Sequence, residues 1–342
     1  MKAVVLTATG AADNLQLQTV DTPIAIAGHV LVKVHACGVG YRDIIERRGE
    51  HPFMQTPMIQ GHEFAGEVVD VGSGVKRWSI GDRVINLYTD SCGHCDQCMG
   101  GDERRCTGVT QAYGLITHGG YAEYALVAER GLERLHEGID YITGATLMSA
   151  VGVGFHNTLN TAGVQLGDHV LITGASGGVG LAALQTAKML GATVWAVTSS
   201  ESKCEALTLA GADHVILNTD GKFHKQLLSA RGGVGVDVAI DCVGTPTINS
   251  ALRSLRPYGA VVVVGNIEGG SYQLNLGMLA VNALRILGSD NVTRESLRTA
   301  MQMVAEKKLQ PAIAKTFPLA DAAEAHRQLE ARNAMGRFVL VP

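Results

Sequence analysis

The stretch from His169 to Gly191 reads HVLITGASGGVGLAALQTAKMLG. Its apolar run, Val170 to Ile172, is short and rich enough in β-branched residues to make a buried parallel strand. The turn Gly174-Ala175-Ser176-Gly177-Gly178-Val179-Gly180 follows at once. Leu181, Leu184, Ala187, Met189 and Leu190 then recur at helical spacing until Gly191 stops the helix. Strand, glycine turn and helix together predict a phosphate cradle. Gly177 and Gly178 let the backbone approach a pyrophosphate, and the helix start offers free N–H groups and the positive end of its dipole. Ser176, Gly177, Gly178, Val179 and Gly180 are the expected contacts of a bound dinucleotide.

At 342 residues the chain is long enough for two domains. A charged fraction of 18% argues against disorder, and 42 glycines suit a turn-rich α/β protein. The net charge is −4 and no basic stripe interrupts the sequence, so nothing points to a nucleic-acid partner. No apolar run approaches 18 residues and the start, MKAVVLTATGAADNL, has no signal-like core. The expectation is a soluble, cytoplasmic protein with no membrane partner.

The first third alternates short apolar runs with glycine turns, as in VLVKVHACGVG, HEFAGEVVDVG and GDRVINL, and reads as a small, mostly β domain. From about residue 140 a small-residue-rich helical stretch leads into the strand at 169. Strands then alternate with helices of ten to fifteen residues, which predicts βαβ units and a doubly wound parallel sheet. Helices around 293–308 and 320–332 and a closing strand, RFVLVP, complete the chain.

Four of the seven cysteines fall close together: Cys92, Cys95, Cys98 and Cys106. In a chain read as cytoplasmic, such spacing predicts a metal site rather than disulfides. Four thiolates make a closed tetrahedral zinc site with no position open for chemistry.

GHE at 61–63, VGSGVKRWSIGDRV at 71–84, the cysteine lobe and GASGGVG together resemble the medium-chain dehydrogenase/reductases, which include the zinc alcohol dehydrogenases. The resemblance covers essentially the whole chain. It implies a GroES-like catalytic domain from residues 1–150 and 290–342, with the zinc lobe at 88–108, and an inserted Rossmann domain at 151–289. It further implies an active site in the cleft between the two and a homodimer or homotetramer, for which the apolar runs at 261–264 and 284–289 would suit an edge.

The chain departs from the zinc alcohol dehydrogenases at the catalytic metal, which they hold through Cys, His and Cys or an acid. Of those positions, the His is present as His62, Gly40 stands three residues before Asp43, and the best match for the last ligand is Ala150. A remodelled site using His62, Glu63 and Cys37 is one alternative, with Cys37 otherwise a small buried hydrophobe. Without a Lewis acid, hydride addition to a conjugated alkene is more accessible than reduction of a simple ketone, because the carbonyl already delocalises the developing charge. The stretch Tyr41-Arg42-Asp43, with GHE and ASGGVG, resembles the acryloyl-CoA reductase branch.

That resemblance implies reduction by NADPH of an α,β-unsaturated acyl-CoA or related carbonyl, with one structural Zn²⁺ per chain. Arg42 or Tyr41 is expected to stabilise the enolate, and Tyr41 or a water near His62 to supply the proton, with Asp43 and Glu63 beside them. The strand before Thr198-Ser199-Ser200 ends without the acid that binds an NAD ribose, and Lys203 follows one turn on, which favours NADPH over NADH. By resemblance Val243, Gly265, Asn266 and Ser289 line the nicotinamide end. The alternatives are an alcohol, carbonyl or quinone oxidoreductase of the same fold, and a nucleotide-binding protein without turnover.

Overall fold

A computed structural model describes residues 1–108, 111–289, 291–332 and 334–342. The chain divides into two compact units. The first comprises 1–149, 293–306 and 313–342; the second comprises 150–292 and 307–312.

The first unit is mostly β. Strands β1 (Lys2–Leu6), β2 (Leu15–Thr19) and β4 (Met58–Ile59) form a small sheet in the order β2-β1-β4. A larger sheet runs β15-β16-β3-β5-β6-β8, built from β3 (His29–Val39), β5 (Glu63–Val71), β6 (Arg83–Asn86), β8 (Leu132–Arg134), β15 (Ile313–Pro318) and β16 (Arg337–Val341). Strand β7 (Tyr124–Ala128) also pairs with β3. The long β3 is buried at most positions, so its sequence reads as a nearly continuous apolar run. Val30, Val32, Phe64, Tyr113, Tyr121, Phe338 and Leu340 share one core with it. Pairing of Leu340 with Cys37 and of Phe338 with Val39 brings the end of the chain beside β3 and so beside β5.

The second unit is the expected parallel sheet. Its strands are β9 (His169–Thr173), β10 (Thr193–Thr198), β11 (His214–Leu217), β12 (Val236–Asp241), β13 (Leu255–Val263) and β14 (Arg285–Gly288), in the order β11-β10-β9-β12-β13-β14. The order reverses between β9 and β12, the switch point at which doubly wound sheets bind nucleotides. The run at 261–264 starts on interior strand β13, so only the 284–289 segment supplies an edge, through β14. No helix among the described residues is long and apolar enough to cross a membrane.

Candidate functional site

In the second unit the glycine turn leads directly from β9 into the helix Gly178–Met189. A Cβ on Gly180 would lie 2.3 Å from the carbonyl oxygen of Gly174, so the helix meets the strand end closely enough to require glycine. Gly177 is exposed and its N–H bonds Gly174 O at 3.0 Å, while Ser176, Gly178 and Val179 are half-buried around it. Asp241, fully buried at the end of β12, ties the switch point together. It accepts from Thr173 Oγ1 at 2.5 Å, Thr247 Oγ1 at 2.7 Å and the Val243 and Gly244 N–H groups.

The neighbouring loops carry the other expected cofactor residues. Ile267 N donates to Val243 O at 3.0 Å, and Asn266 Oδ1 accepts from both N and Oγ1 of Thr245. Gly265 adjoins Asn266 on this loop, and Ser289 N bonds Val263 O at 2.9 Å just past β14. At the end of β10, Thr198 Oγ1 accepts from Ser200 N and Ser200 Oγ meets Ser202 Oγ, with Ser199 exposed. Lys203 is 9% exposed, and desolvation lowers its ammonium pKa.

In the first unit the four sulfurs of Cys92, Cys95, Cys98 and Cys106 lie within 4.8 Å of one another, and Cys95 Sγ to Cys106 Sγ is 3.9 Å. A tetrahedral site with Zn–S of about 2.3 Å has sulfur edges of about 3.8 Å, so the donor set fits zinc. Backbone N–H groups of Cys92, Cys95 and Gly108 point at Cys106 Sγ, Cys92 Sγ and Cys106 Sγ, as suits thiolates. N–H groups of Cys98 and Thr107 pull the Cys95 thiol down to about 5. Cys98 is pushed the other way, to about 12, chiefly by desolvation, with its sulfur neighbours adding to the rise. A divalent cation relieves that crowding of sulfurs.

The second polar assembly of this unit is built on the helix Tyr41–Arg48. Asp43 anchors the helix start, its Oδ2 accepting the Gly40 N–H at 2.8 Å. Its Oδ1 lies 2.9 Å from His62 Nδ1 and its carbonyl accepts from Gln60 Nε2. Burial alone would raise the Asp43 carboxyl, but His62, His326 and the Gly40 N–H bring it down to about 2. The other ring nitrogen, His62 Nε2, is 3.0 Å from Ser149 Oγ.

Glu63, on the adjacent position of β5, is 1% exposed. Its Oε1 accepts Ser149 N at 2.6 Å and its Oε2 accepts Arg337 Nη2 at 2.9 Å. Arg337 Nη2 also donates to Ser149 Oγ at 3.2 Å. A Cβ at position 40 would lie 2.7 Å from Arg337 Nη1 and 2.9 Å from His62 Cε1. Gly40 therefore leaves room that the guanidinium and the imidazole fill.

A neighbouring cluster surrounds Arg42. Its Nε bonds Glu46 Oε1 at 2.7 Å, its Nη2 donates to Tyr88 Oη, and its guanidinium carbon lies 3.8 Å from the Tyr88 ring centroid. The His62 and Tyr88 rings meet edge to face at 6.2 Å, which joins the two clusters. Burial pushes Glu46 up to about 7 despite Arg42.

Three positions read from the sequence find their surroundings here. The residue facing His62 Nε2 is Ser149, not Ala150; the segment Leu147–Gly152 is a π-helical turn, and sequence alone does not fix which of its side chains turns to the histidine. Arg42 pairs with Glu46 and Tyr88. Tyr41 lies under the Arg332 guanidinium at 5.9 Å, and no hydrogen bond among the described residues joins it to His62. Cys37 is fully buried, its Sγ donating to Glu63 O at 3.2 Å and its thiol pushed well up by burial, as for a core residue. Among the described residues the four-cysteine lobe is the one group of three or more His, Cys, Asp or Glu donors placed to hold a metal. Tyr88, Glu46, Ser149 and Arg337 are site residues that sequence reasoning missed.

Residues 26–137 match the family model described as alcohol dehydrogenase GroES-like domain, and residues 178–306 match that described as zinc-binding dehydrogenase. The chain is 35% identical to the acryloyl-coenzyme A reductase of Metallosphaera sedula over 99% of both chains. It is 33% identical to an alcohol dehydrogenase of Geobacillus stearothermophilus over 95% of this chain and 96% of the other. The crystal structure of AibC is 44% identical, with a TM-score of 0.91, covering all of this chain and 96% of that one. With this site and fold, the chain belongs to the acryloyl-coenzyme A reductase branch of the medium-chain dehydrogenase/reductases. It is an NAD(P)H-dependent medium-chain oxidoreductase that acts on a small molecule.

Proposed function

We propose that the protein reduces the C=C bond of an α,β-unsaturated acyl thioester, an acryloyl-CoA-like substrate, with NADPH and without a catalytic zinc. The observation that carries this reading is the surroundings of His62. Gly40 offers no ligand, and His62 Nε2 faces a serine hydroxyl rather than a thiolate or carboxylate. Glu63 is engaged by Arg337 and Ser149 N. Such a donor set suits hydrogen bonding and is poor in the charged ligands a catalytic zinc needs. A substrate that delocalises its own negative charge is matched to it.

When bound, the nicotinamide supplies a hydride. Gly177, Gly178 and the helix start would hold the pyrophosphate, Thr198, Ser199, Ser200 and Lys203 the phosphorylated ribose, and Val243, Gly265, Asn266 and Ser289 the nicotinamide end. The absence of a carboxylate at the end of β10 supports NADPH. Arg42 spends Nε and Nη2 on Glu46 and Tyr88, and its side chain is 40% exposed, so donors remain for a thioester oxygen that gains charge. Asp43 and Glu63 orient His62 and Ser149 behind it. The exposed Val281 and Ile286, beside and on edge strand β14, support a homo-oligomer.

The test is a panel of acryloyl-CoA, simple ketones, primary alcohols and quinones, with NADPH and NADH, alongside a zinc count. The reading expects thioester reduction with NADPH and one zinc per chain. Two zincs per chain with alcohol oxidation would sink it.

A further inference from the structure

We propose that Ser149 is the group that protonates the substrate's α-carbon, as the end of a relay Asp43–His62–Ser149. This deepens the ene-reductase reading and rests on it. The geometry is a continuous line of short contacts: Asp43 Oδ1 to His62 Nδ1 at 2.9 Å, and His62 Nε2 to Ser149 Oγ at 3.0 Å. Asp43 is fully buried and His62 is 1% exposed, whereas Ser149 is half-buried, so the line runs from the interior to a reachable hydroxyl.

In the doubly protonated form of His62 that the relay requires, the hydrogen-bond count on Ser149 sets the direction of its proton. A hydroxyl has one proton to give and two lone pairs. Arg337 Nη2 takes one lone pair at 3.2 Å. With His62 carrying both ring protons, Nδ1–H faces Asp43 and Nε2–H takes the second lone pair. The Ser149 O–H is then left with no acceptor in the cluster and points away from both donors. The Ser149 backbone N–H is held separately by Glu63 Oε1 at 2.6 Å, which fixes the side chain's origin. Asp43 cannot turn to another acid role, because Gly40 N–H holds its second oxygen.

The chemistry balances as follows. Hydride from the dihydronicotinamide forms the new C–H bond at the β-carbon, the C=C π pair moves onto the enolate, and the nicotinamide is left oxidised. Ser149 gives its proton to the α-carbon while receiving one from His62 Nε2, and the enolate pair becomes the new C–H bond. His62 ends neutral, with Nδ1–H still on Asp43, and regains its proton from solvent through the half-buried Ser149 hydroxyl once product has left. Arg337 and Glu63 are positioning residues in this scheme.

The experiment is reduction of acryloyl-CoA by the full-length protein in D₂O with protiated NADPH, with the deuterium at C2 of the product resolved by face. Wild type is expected to place one solvent deuteron at C2 on a single face. Ser149→Ala is expected to slow turnover on the order of 100-fold, the range of a lost general acid, and to scramble the face. Ser149→Thr, which keeps the hydroxyl, is expected to retain the single face. A Ser149→Ala protein that keeps both single-face labelling and turnover within threefold of wild type overturns the relay alone. A Ser149→Thr protein that scrambles the face while Ser149→Ala does not also overturns it. Wild type that leaves the thioester unreduced overturns the ene-reductase reading, and the relay with it.

Discussion

Replacing Arg337 with Met tests how the polar assembly is held together. The guanidinium's partner, Glu63, is 1% exposed and Arg337 itself 11%, with an Nη2 to Oε2 distance of 2.9 Å. Removing one member of a buried ion pair strands the other charge, at a typical cost of about 3–5 kcal/mol. Glu63 keeps the bond from Ser149 N at 2.6 Å, which favours the low end, about 3 kcal/mol. That is roughly a 150-fold change in the folding equilibrium. Glu63→Met strands Arg337 instead and should cost a similar amount. The double variant removes both charges and leaves mainly the unpaired Ser149 N–H, at about 1–3 kcal/mol. The two single losses should therefore fail to add, by several kcal/mol. Urea unfolding followed by circular dichroism measures this, with the transition of the first unit fitted separately because two units need not unfold together. Because the pair is buried, 1 M NaCl should change the losses little. Additive losses, or a single-variant loss below about 1 kcal/mol, would refute the claim that Arg337 and Glu63 hold each other in place.

Other consequences follow from the same geometry. Glu46 rises to about 7 from the ordinary 4.5, so the folded state binds its proton more tightly than the unfolded chain does. Its contribution to stability is fully present below about pH 4.5 and is lost as pH rises through about 7, by at most about 3 kcal/mol; Glu46→Gln should flatten that part of a melting-temperature profile. Gly180→Ala drives a Cβ to 2.3 Å from a backbone oxygen that has little freedom to move, and NADPH titration by fluorescence should show at least a tenfold weaker complex. Cys106→Ser removes one of four sulfurs, and metal analysis should fall from one zinc per chain toward none, with earlier proteolysis in the lobe.

What was legible in the sequence was local or set by spacing. The run from Val170 to Gly180 encodes strand, turn and helix within one segment, and the four cysteines declare their metal by proximity along the chain. The catalytic side was less legible because its contacts are distant in sequence. Arg337 meets Glu63 across 274 positions, and it sat inside RFVLVP, a stretch whose only visible signal was that of a strand. Ser149 and His62 are separated by 87 positions, and an unusual helical turn decides which neighbour faces the imidazole. Arg42 was visible as a candidate, but Tyr88, which receives its Nη2 bond, stood at the first position of the lobe at 88–108, where the cysteines were the signal. The lack of a signal at Gly40 was itself informative, since the room it leaves is filled by two residues already needed nearby.

The central claim is that this site reduces a substrate that carries its own activation. Its most direct test is product analysis after incubating the protein with acryloyl-CoA and NADPH. The account predicts stoichiometric conversion to propanoyl-CoA with the hydride at C3, at a rate unaffected by a chelator that leaves the four-cysteine zinc in place. Intact thioester beside rapid, chelator-sensitive alcohol oxidation would contradict it.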